Sequence, residues 1–326
     1  MVTQNNQVFS EIKLLVEQAN TIMLASHKKA DGDAVGSLLG FGLSLNAAGK
    51  QVLMVLPDGV PTSYRFLDGY KLISRPVDAQ VDLFISLDCA DKGRLGPQLE
   101  TRLVDINIDH HATNDLFAKV NLVMPEVPAT AMIVANMLFD WNYPLSQAVL
   151  DALLTGIVAD TLGFRTSNMS AETLFIAGKL FENGGRLTEL YENALHTRSF
   201  EAVKFWAQGL QRINKQDGIV WTSLTIEDRT SSSYSGNDDA DLINVLSSIE
   251  DAQVAIIFVE QKNGNTKVSW RAKKGLDISK LAVKFGGGGH PGASGAEISG
   301  SLSETESLII EATKTYVQQI DAVEEN

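Results

Sequence analysis

In its N-terminal half the chain alternates short apolar runs with segments of helical period, and this restricts the fold more than any other feature. TIMLAS (21–26), QVLMVL (51–56), DLFISLD (82–88) and RLVDINID (102–109) read as strands. VFSEIKLLVEQA carries Phe9, Ile12, Leu15, Val16 and Ala19 at helical spacing, and residues Ala34 to Ala48 read as a second helix, rich in Leu and Gly. Apolar strands that alternate with helices imply a mostly parallel sheet covered on both faces.

After Pro128 the pattern turns helical, through ATAMIVANMLFDW, LSQAVLDALLTGIVADT and SAETLFIAGKLFENGG; the last starts at a Ser170 cap and ends at Gly184–Gly185. Between Ser199 and Ile213, the residues Phe200, Val203, Trp206, Leu210 and Ile213 form one stripe, expected on a connecting helix. From about Asp217 the character changes. GIVWTSLTI reads as a strand, QVAIIFVEQ and TKVSWRAK flank the hairpin signal Asn263–Gly264, and GGGGHPGASG (286–295) precedes a closing helix, LSETESLIIEATKTYVQQI. The expected class is α/β: an N-terminal mostly parallel sheet with helices on both faces over 1–190, a helical linker over 191–214, and a smaller α+β domain over 215–326. A length of 326 residues suits two cores better than one.

Charge narrows the function. With 40 acidic against 27 basic residues, a net charge of −13 argues against coating long nucleic acid, which rests on cationic neutralisation of phosphates. A short nucleotide site with its own metal ions stays open. The single cysteine, Cys89, allows no internal disulfide and suits a reducing compartment. MVTQNNQVFSEIK lacks the basic and apolar regions of a secretory signal. The longest apolar candidate for a membrane span is interrupted by Asp151 and Asp160. A cytoplasmic location without membrane attachment is expected.

The chemistry sits at strand ends. His27, Asp31 and Asp33 follow the first strand in SHKKADGD; Asp88 ends the third; Asp109-His110-His111 ends the fourth; Asp160 closes a helix in GIVADT. Taken singly, each has a bland reading: Asp31-Gly32-Asp33 is a common turn, Asp160 an ordinary loop contact, the histidine pair a satisfied interior pair. Their joint placement outweighs these readings, because open α/β sheets bind ligands at the carboxyl ends of strands. Carboxylates gathered there repel one another and lose hydration, so they are either protonated or neutralised by divalent cations. Oxygen-rich ligands with one imidazole per ion favour manganese or magnesium over zinc, and one Asp from a central strand can bridge two ions.

These motifs, H-x3-D-G-D-A-x-G-S (His27 to Ser37), the Asp88 motif, D-H-H (109–111), Asp160 and GGGGH (286–290), occur in an order that resembles the DHH phosphoesterase superfamily with its DHH-associated domain. The short, two-domain nanoRNase/pAp phosphatase group is the most similar branch. The resemblance implies that His27 and Asp31 hold one manganese, that Asp33, His110 and Asp160 hold the other, and that Asp88 bridges both. It implies that His111 orients a ligand or contacts a substrate phosphate, with Asp109 supporting the loop. Thr113 and Asn114 resemble the continuation of that loop. The backbone of Gly287, Gly288 and Gly289 and the side chain of His290 would bind the nucleotide, the loop facing the metal cleft. Arg271, in SWRAKK, stands where the family has an Arg, but its flanks Trp270 and Ala272 depart from the family pattern, and Ala30 replaces a common Pro. Lys273, Lys274, Lys280 and Lys284 read as a solvated basic face, and Cys89 as a small buried residue. Arg94 has two readings, a substrate contact or an interdomain salt bridge.

The activity implied is two-metal hydrolysis of short oligoribonucleotides, linear dinucleotides such as pApA and 3′-phosphoadenosine 5′-phosphate (pAp), by a homodimer joined through the large domain. The alternatives are an inactive nucleotide sensor and a phosphodiesterase specific for cyclic or linear dinucleotides.

Overall fold

A computed structural model describes residues 2–166, 168–273 and 275–324. The chain divides into two compact units, Met1–Thr197 and Arg198–Asn326. In the first, strands β1 Thr21–Ala25, β2 Gln51–Val55, β3 Ile73–Ser74, β4 Leu83–Leu87, β5 Ile106–Asp109 and β6 Val120–Val123 form one sheet, ordered β3-β2-β1-β4-β5-β6 and parallel at every pairing. Helices α1 Val2–Gln18, α2 Gly32–Ala47, α3 Pro97–Glu100, α4 Thr130–Trp141, α5 Gln147–Asp160, α6 Ala171–Glu182 and α7 Leu187–Tyr191 complete the unit. The strands carry no apolar–polar alternation because the sheet is covered; β4 is buried at every position. The four expected strands are present. β3 and β6, of 2 and 4 residues, are additional and too short to leave a periodic signal.

Strand order reverses between β1 and β4, with β2 and β3 to one side and β5 and β6 to the other. That reversal opens a crevice at the carboxyl ends of β1 and β4. Asp31 caps α2 there: its Oδ1 accepts the N–H groups of Asp33 and Ala34 at 3.1 and 3.0 Å. The helix therefore starts at Gly32, two residues before the expected Ala34. α2 lies so close to α5 that a Cβ on Gly36 would stand 2.5 Å from the carbonyl oxygen of Ala152. Val35, Leu38, Leu39, Ile133, Leu153 and Ile157 fill the core that these helices share with the sheet.

The second unit has helices α8 Phe200–Leu210, α9 Ile226–Ser232, α10 Leu242–Leu246, α11 Ser279–Lys284 and α12 Leu302–Glu324. Its strands are β7 Asn214–Gln216, β8 Ile219–Leu224, β9 Val254–Glu260, β10 Asn265–Ala272, β11 Gly288–His290 and β12 Ala293–Ser299. They form a mixed sheet ordered β11-β12-β10-β9-β8-β7, in which only β8 and β9 pair in parallel. The turn at Asn263–Gly264 joins β9 to β10, and fully buried Trp270 donates from Nε1 to Thr313 Oγ1 at 3.3 Å.

α8 presents a different face from the expected stripe. Ala202, Phe205 and Gly209 are buried, whereas Phe200 is 75% exposed. Phe205 stacks on Tyr234 with centroids 5.1 Å apart, under the Arg229 guanidinium, so aromatic packing decides the face. Lys274 lies outside the described residues. No helix among the described residues is long and apolar enough to cross a membrane.

Candidate metal centre

The loops after β1, β4 and β5 and the end of α5 bring six side chains together. His27 Nε2 lies 3.5 Å from Asp88 Oδ2 and 3.8 Å from Asp31 Oδ2. His110 Nε2 lies 3.5 Å from the other oxygen of Asp88, 3.7 Å from Asp33 Oδ2 and 3.4 Å from Asp160 Oδ2. Asp88 thus turns one carboxylate oxygen to each histidine, and the six residues divide into two sets that share it. Asp88 holds this position in a left-handed backbone conformation (φ 53°), one that Asp tolerates better than most residues.

Outer contacts fix the rings. His110 Nδ1 faces the carbonyl oxygen of Val127 at 3.1 Å; a proton donated there leaves Nε2 to face the carboxylates. His27 Nδ1 lies 2.9 Å from the carbonyl oxygen of Lys28 and 3.0 Å from Arg94 Nη2. The two contacts exclude each other: a protonated Nδ1 donates to Lys28, an unprotonated one accepts from Arg94. Asp33 accepts the N–H groups of Thr130 and Ala131 at 2.5 and 2.8 Å, and Thr130 Oγ1 donates to Asp88 Oδ1 at 3.1 Å. Asp109 accepts from His111 Nδ1 at 2.8 Å and from Asn114 Nδ2 at 2.6 Å, and Asn114 Nδ2 also reaches the carbonyl oxygen of Cys89.

The electrostatics are those of a cation site. Burial, then the charges of Asp88, Asp160 and Asp31, push the Asp33 carboxyl well above its usual range. Burial also opposes ionisation of Asp88, but the close approach of His27 and the charges of His111, His110 and His27 hold its carboxyl below the usual range. Burial disfavours charge on His27 and His111 as well. The nearby carboxylates of Asp88 and Asp31 raise the His27 ring, and the hydrogen bond to Asp109 with the charges of Asp88 and Asp109 raises the His111 ring. Buried His27 Nε2 has no hydrogen-bond partner among the described residues. In each of the triads His27–Asp31–Asp88 and Asp33–Asp88–His110, one donor atom from each residue lies within 4.8 Å of the others. This donor set, carboxylate oxygens with one imidazole in each half, fits divalent cations that would supply the missing positive charge.

The structure places Asp109 and Asn114 behind His111, and Arg94 against His27. Val127, Thr130 and Ala131 were missed by sequence reasoning, because all three act through the backbone, Thr130 with its hydroxyl as well; the signal in the sequence was a helix start shortly after Pro128.

Arg271, Gly287, Gly288, Gly289 and His290 belong to the second unit. Arg271 pairs with Ala293 across β10–β12, and Ala293 pairs with His290 across β12–β11. Directly opposed residues share a face, so Arg271 and His290 stand in one row with a small residue between them. The glycine run is a closely packed edge strand: a Cβ on Gly287 would meet the carbonyl oxygen of Gly295 at 2.1 Å, and Gly289 has φ 138°.

A parallel sheet with paired histidine–carboxylate sets at its switch point defines a class of phosphoesterases, and sequence comparison agrees. The chain belongs to the DHH family: residues 21–157 match the family's N-terminal domain, and residues 229–319 match the DHHA1 domain. It is 31% identical over 298 residues to the bifunctional oligoribonuclease and PAP phosphatase NrnA of Thermus thermophilus, covering 90% of this chain and 89% of that protein. The protein of the same name from Bacillus subtilis is 24% identical over 294 residues, covering 89% of this chain and 93% of that protein. The fold is similar to the crystal structure of an exopolyphosphatase-related protein from Bacteroides fragilis (TM-score 0.88, 24% identity, 97% of this chain and 98% of that one).

Proposed function

We propose that this DHH enzyme is a manganese-dependent phosphoesterase. It hydrolyses oligoribonucleotides of a few residues, including pApA, to mononucleotides, and pAp to AMP. The observation that carries the proposal is the convergence of two histidine–carboxylate sets on Asp88. The names of the T. thermophilus and B. subtilis relatives support the substrate class.

His27 and Asp31 would hold one ion, Asp33, His110 and Asp160 the other, and Asp88 both. Bound divalent cations supply Lewis acidity, which neutralises charge on phosphate oxygens and acidifies water. His111, protonated on both ring nitrogens, gives Nδ1–H to Asp109 and donates Nε2–H to a substrate phosphate oxygen. The Asp109 carboxylate stabilises that imidazolium and fixes the ring. Arg271 and His290 bind further phosphate oxygens with the backbone of Gly287, Gly288 and Gly289, a guanidinium being suited to bidentate contact. In this reading residues 1–190 are the catalytic domain, 191–214 the linker and 215–326 the substrate-binding domain. The enzyme works in the cytoplasm as a homodimer joined through the large domain.

The test is turnover of pAp, pApA and RNA of 2 to 24 residues, with manganese, with EDTA, and by Asp88→Ala. Manganese-dependent loss of the short substrates, abolished in the variant, is expected. Tight manganese and nucleotide binding without turnover of any of them would instead make the protein a sensor.

A further inference from the structure

Helix α5 ends on Asp160, and the chain leaves it through a backbone that residues with side chains rarely adopt. Leu162, Gly163 and Phe164 have φ of 48°, 70° and 65°, the only run of three left-handed residues among those described. The Gly163 N–H returns to the carbonyl oxygen of Val158 at 2.8 Å, and the Leu162 N–H to that of Ala159 at 3.2 Å. This is a Schellman closure, whose left-handed position after the helix is usually glycine. Here Leu162 holds it, and Phe164 is left-handed two residues on. Such backbone is costly and persists only where its surroundings over-determine it.

Thr161 and Tyr191 supply those surroundings. The Thr161 side chain is buried; its Oγ1 donates to the carbonyl oxygen of Ile157 at 2.6 Å and accepts the Phe164 N–H at 3.0 Å. One hydroxyl thus ties the last turn of α5 to the far end of the left-handed run. Tyr191 of α7 lies over Gly163, where a Cβ would stand 2.1 Å from the phenol oxygen. The turn is held from two sides, and the group that needs holding is Asp160. It stands on the last residue of a helix, where ends fray. Its side chain is 27% exposed, against 1% for Asp33 and 2% for His110, yet its Oδ2 lies 3.4 Å from His110 Nε2.

We propose that Thr161 is a positioning residue for the metal centre: its hydroxyl locks the left-handed turn over 162–164 and so keeps the Asp160 carboxylate directed toward His110. The proposal rests on the reading of Asp160 as a ligand of the ion shared with Asp33 and His110.

Manganese titration of the full chain by calorimetry, beside thermal melts in EDTA, gives the test. Thr161→Val keeps the shape of the side chain and removes the hydroxyl, whereas Thr161→Ser keeps the hydroxyl. The valine variant is expected to bind one of two ions about 10- to 100-fold more weakly, the loss typical of a removed outer-shell partner, and the other ion unchanged. The serine variant restores the affinity. Asp160→Asn identifies the ion affected, and Tyr191→Leu, which removes the outer clamp, should weaken the same ion even where Thr161→Val does not fold. A valine variant that melts lower but binds both ions as the wild type does, or that loses both equally, overturns the positioning role, as does a serine variant no better than the valine one. Asp160→Asn with both ions intact overturns the ligand reading on which the proposal rests.

Discussion

Asp33 is a candidate metal ligand and also the cap of a helix to which it does not belong, because its two oxygens take the first N–H groups of α4. Asp31 also caps a helix, its own, but its side chain is largely exposed and only Oδ1 accepts the backbone hydrogen bonds. The two should therefore respond differently to removal of charge alone. Asn caps a helix as well as Asp does. Asp31→Asn is expected to leave the stability of the metal-free protein within about 0.5 kcal/mol of wild type. Asp33→Asn turns an amide donor onto a backbone donor in a buried site; relief of the repulsion by Asp88, Asp160 and Asp31 offsets part of this, leaving a net cost of about 1 kcal/mol. Both should lower manganese-dependent turnover by more than about 100-fold. Urea denaturation in EDTA, set beside turnover, checks this; equal destabilisation by the two would refute the capping role of Asp33. The ligand candidates were legible in the sequence because each is a side chain of distinctive chemistry after an apolar run. The groups that aim them were not, since the carbonyl of Val127 and the amides of Thr130 and Ala131 belong to every residue type.

Among the elements, the first sheet was legible because covered parallel strands read as continuous apolar runs; β3, β6, β7 and β11 were not, being of 2, 4, 3 and 3 residues, nor was β12, which begins inside the glycine-rich stretch. The exposed side of α8 misled for another reason: its more apolar stripe points outward, while Phe205 and Gly209 seat the helix. Close packing of helices, not propensity, also sets the site. A Cβ on Gly156 of α5 would stand 2.5 Å from Ala131 Cβ and 2.9 Å from Asp33 Oδ1. Gly156→Ala improves the intrinsic helix propensity of α5, yet it drives α5 from α4 and pushes Asp33 off its amides. Overpacking should win, with a net destabilisation of about 1–3 kcal/mol and a larger proportional loss of manganese affinity than of stability. Thermal melts and manganese titration measure the two effects, and a stabilised variant with unchanged metal affinity would contradict the packing argument.

At the scale of the whole molecule the net charge of −13 acts on any nucleic acid before a site can. A long oligonucleotide carries many phosphates toward like charge, whereas pAp or a dinucleotide brings few, and the candidate metal centre can neutralise those locally. Two causes of a preference for short substrates then differ in their response to salt. Exclusion by the dimensions of the site does not depend on ionic strength. Long-range repulsion is screened, because the Debye length falls from about 30 Å at 0.01 M to about 8 Å at 0.15 M. If charge sets the preference, the ratio of turnover on a dinucleotide to that on a 24-mer should fall as monovalent salt is raised over this range at fixed manganese. The fall should come through better turnover of the longer RNA, the dinucleotide serving as the internal control for metal loading. A ratio that stays constant would assign the length limit to the walls of the site and leave the acidic surface a role in solubility alone.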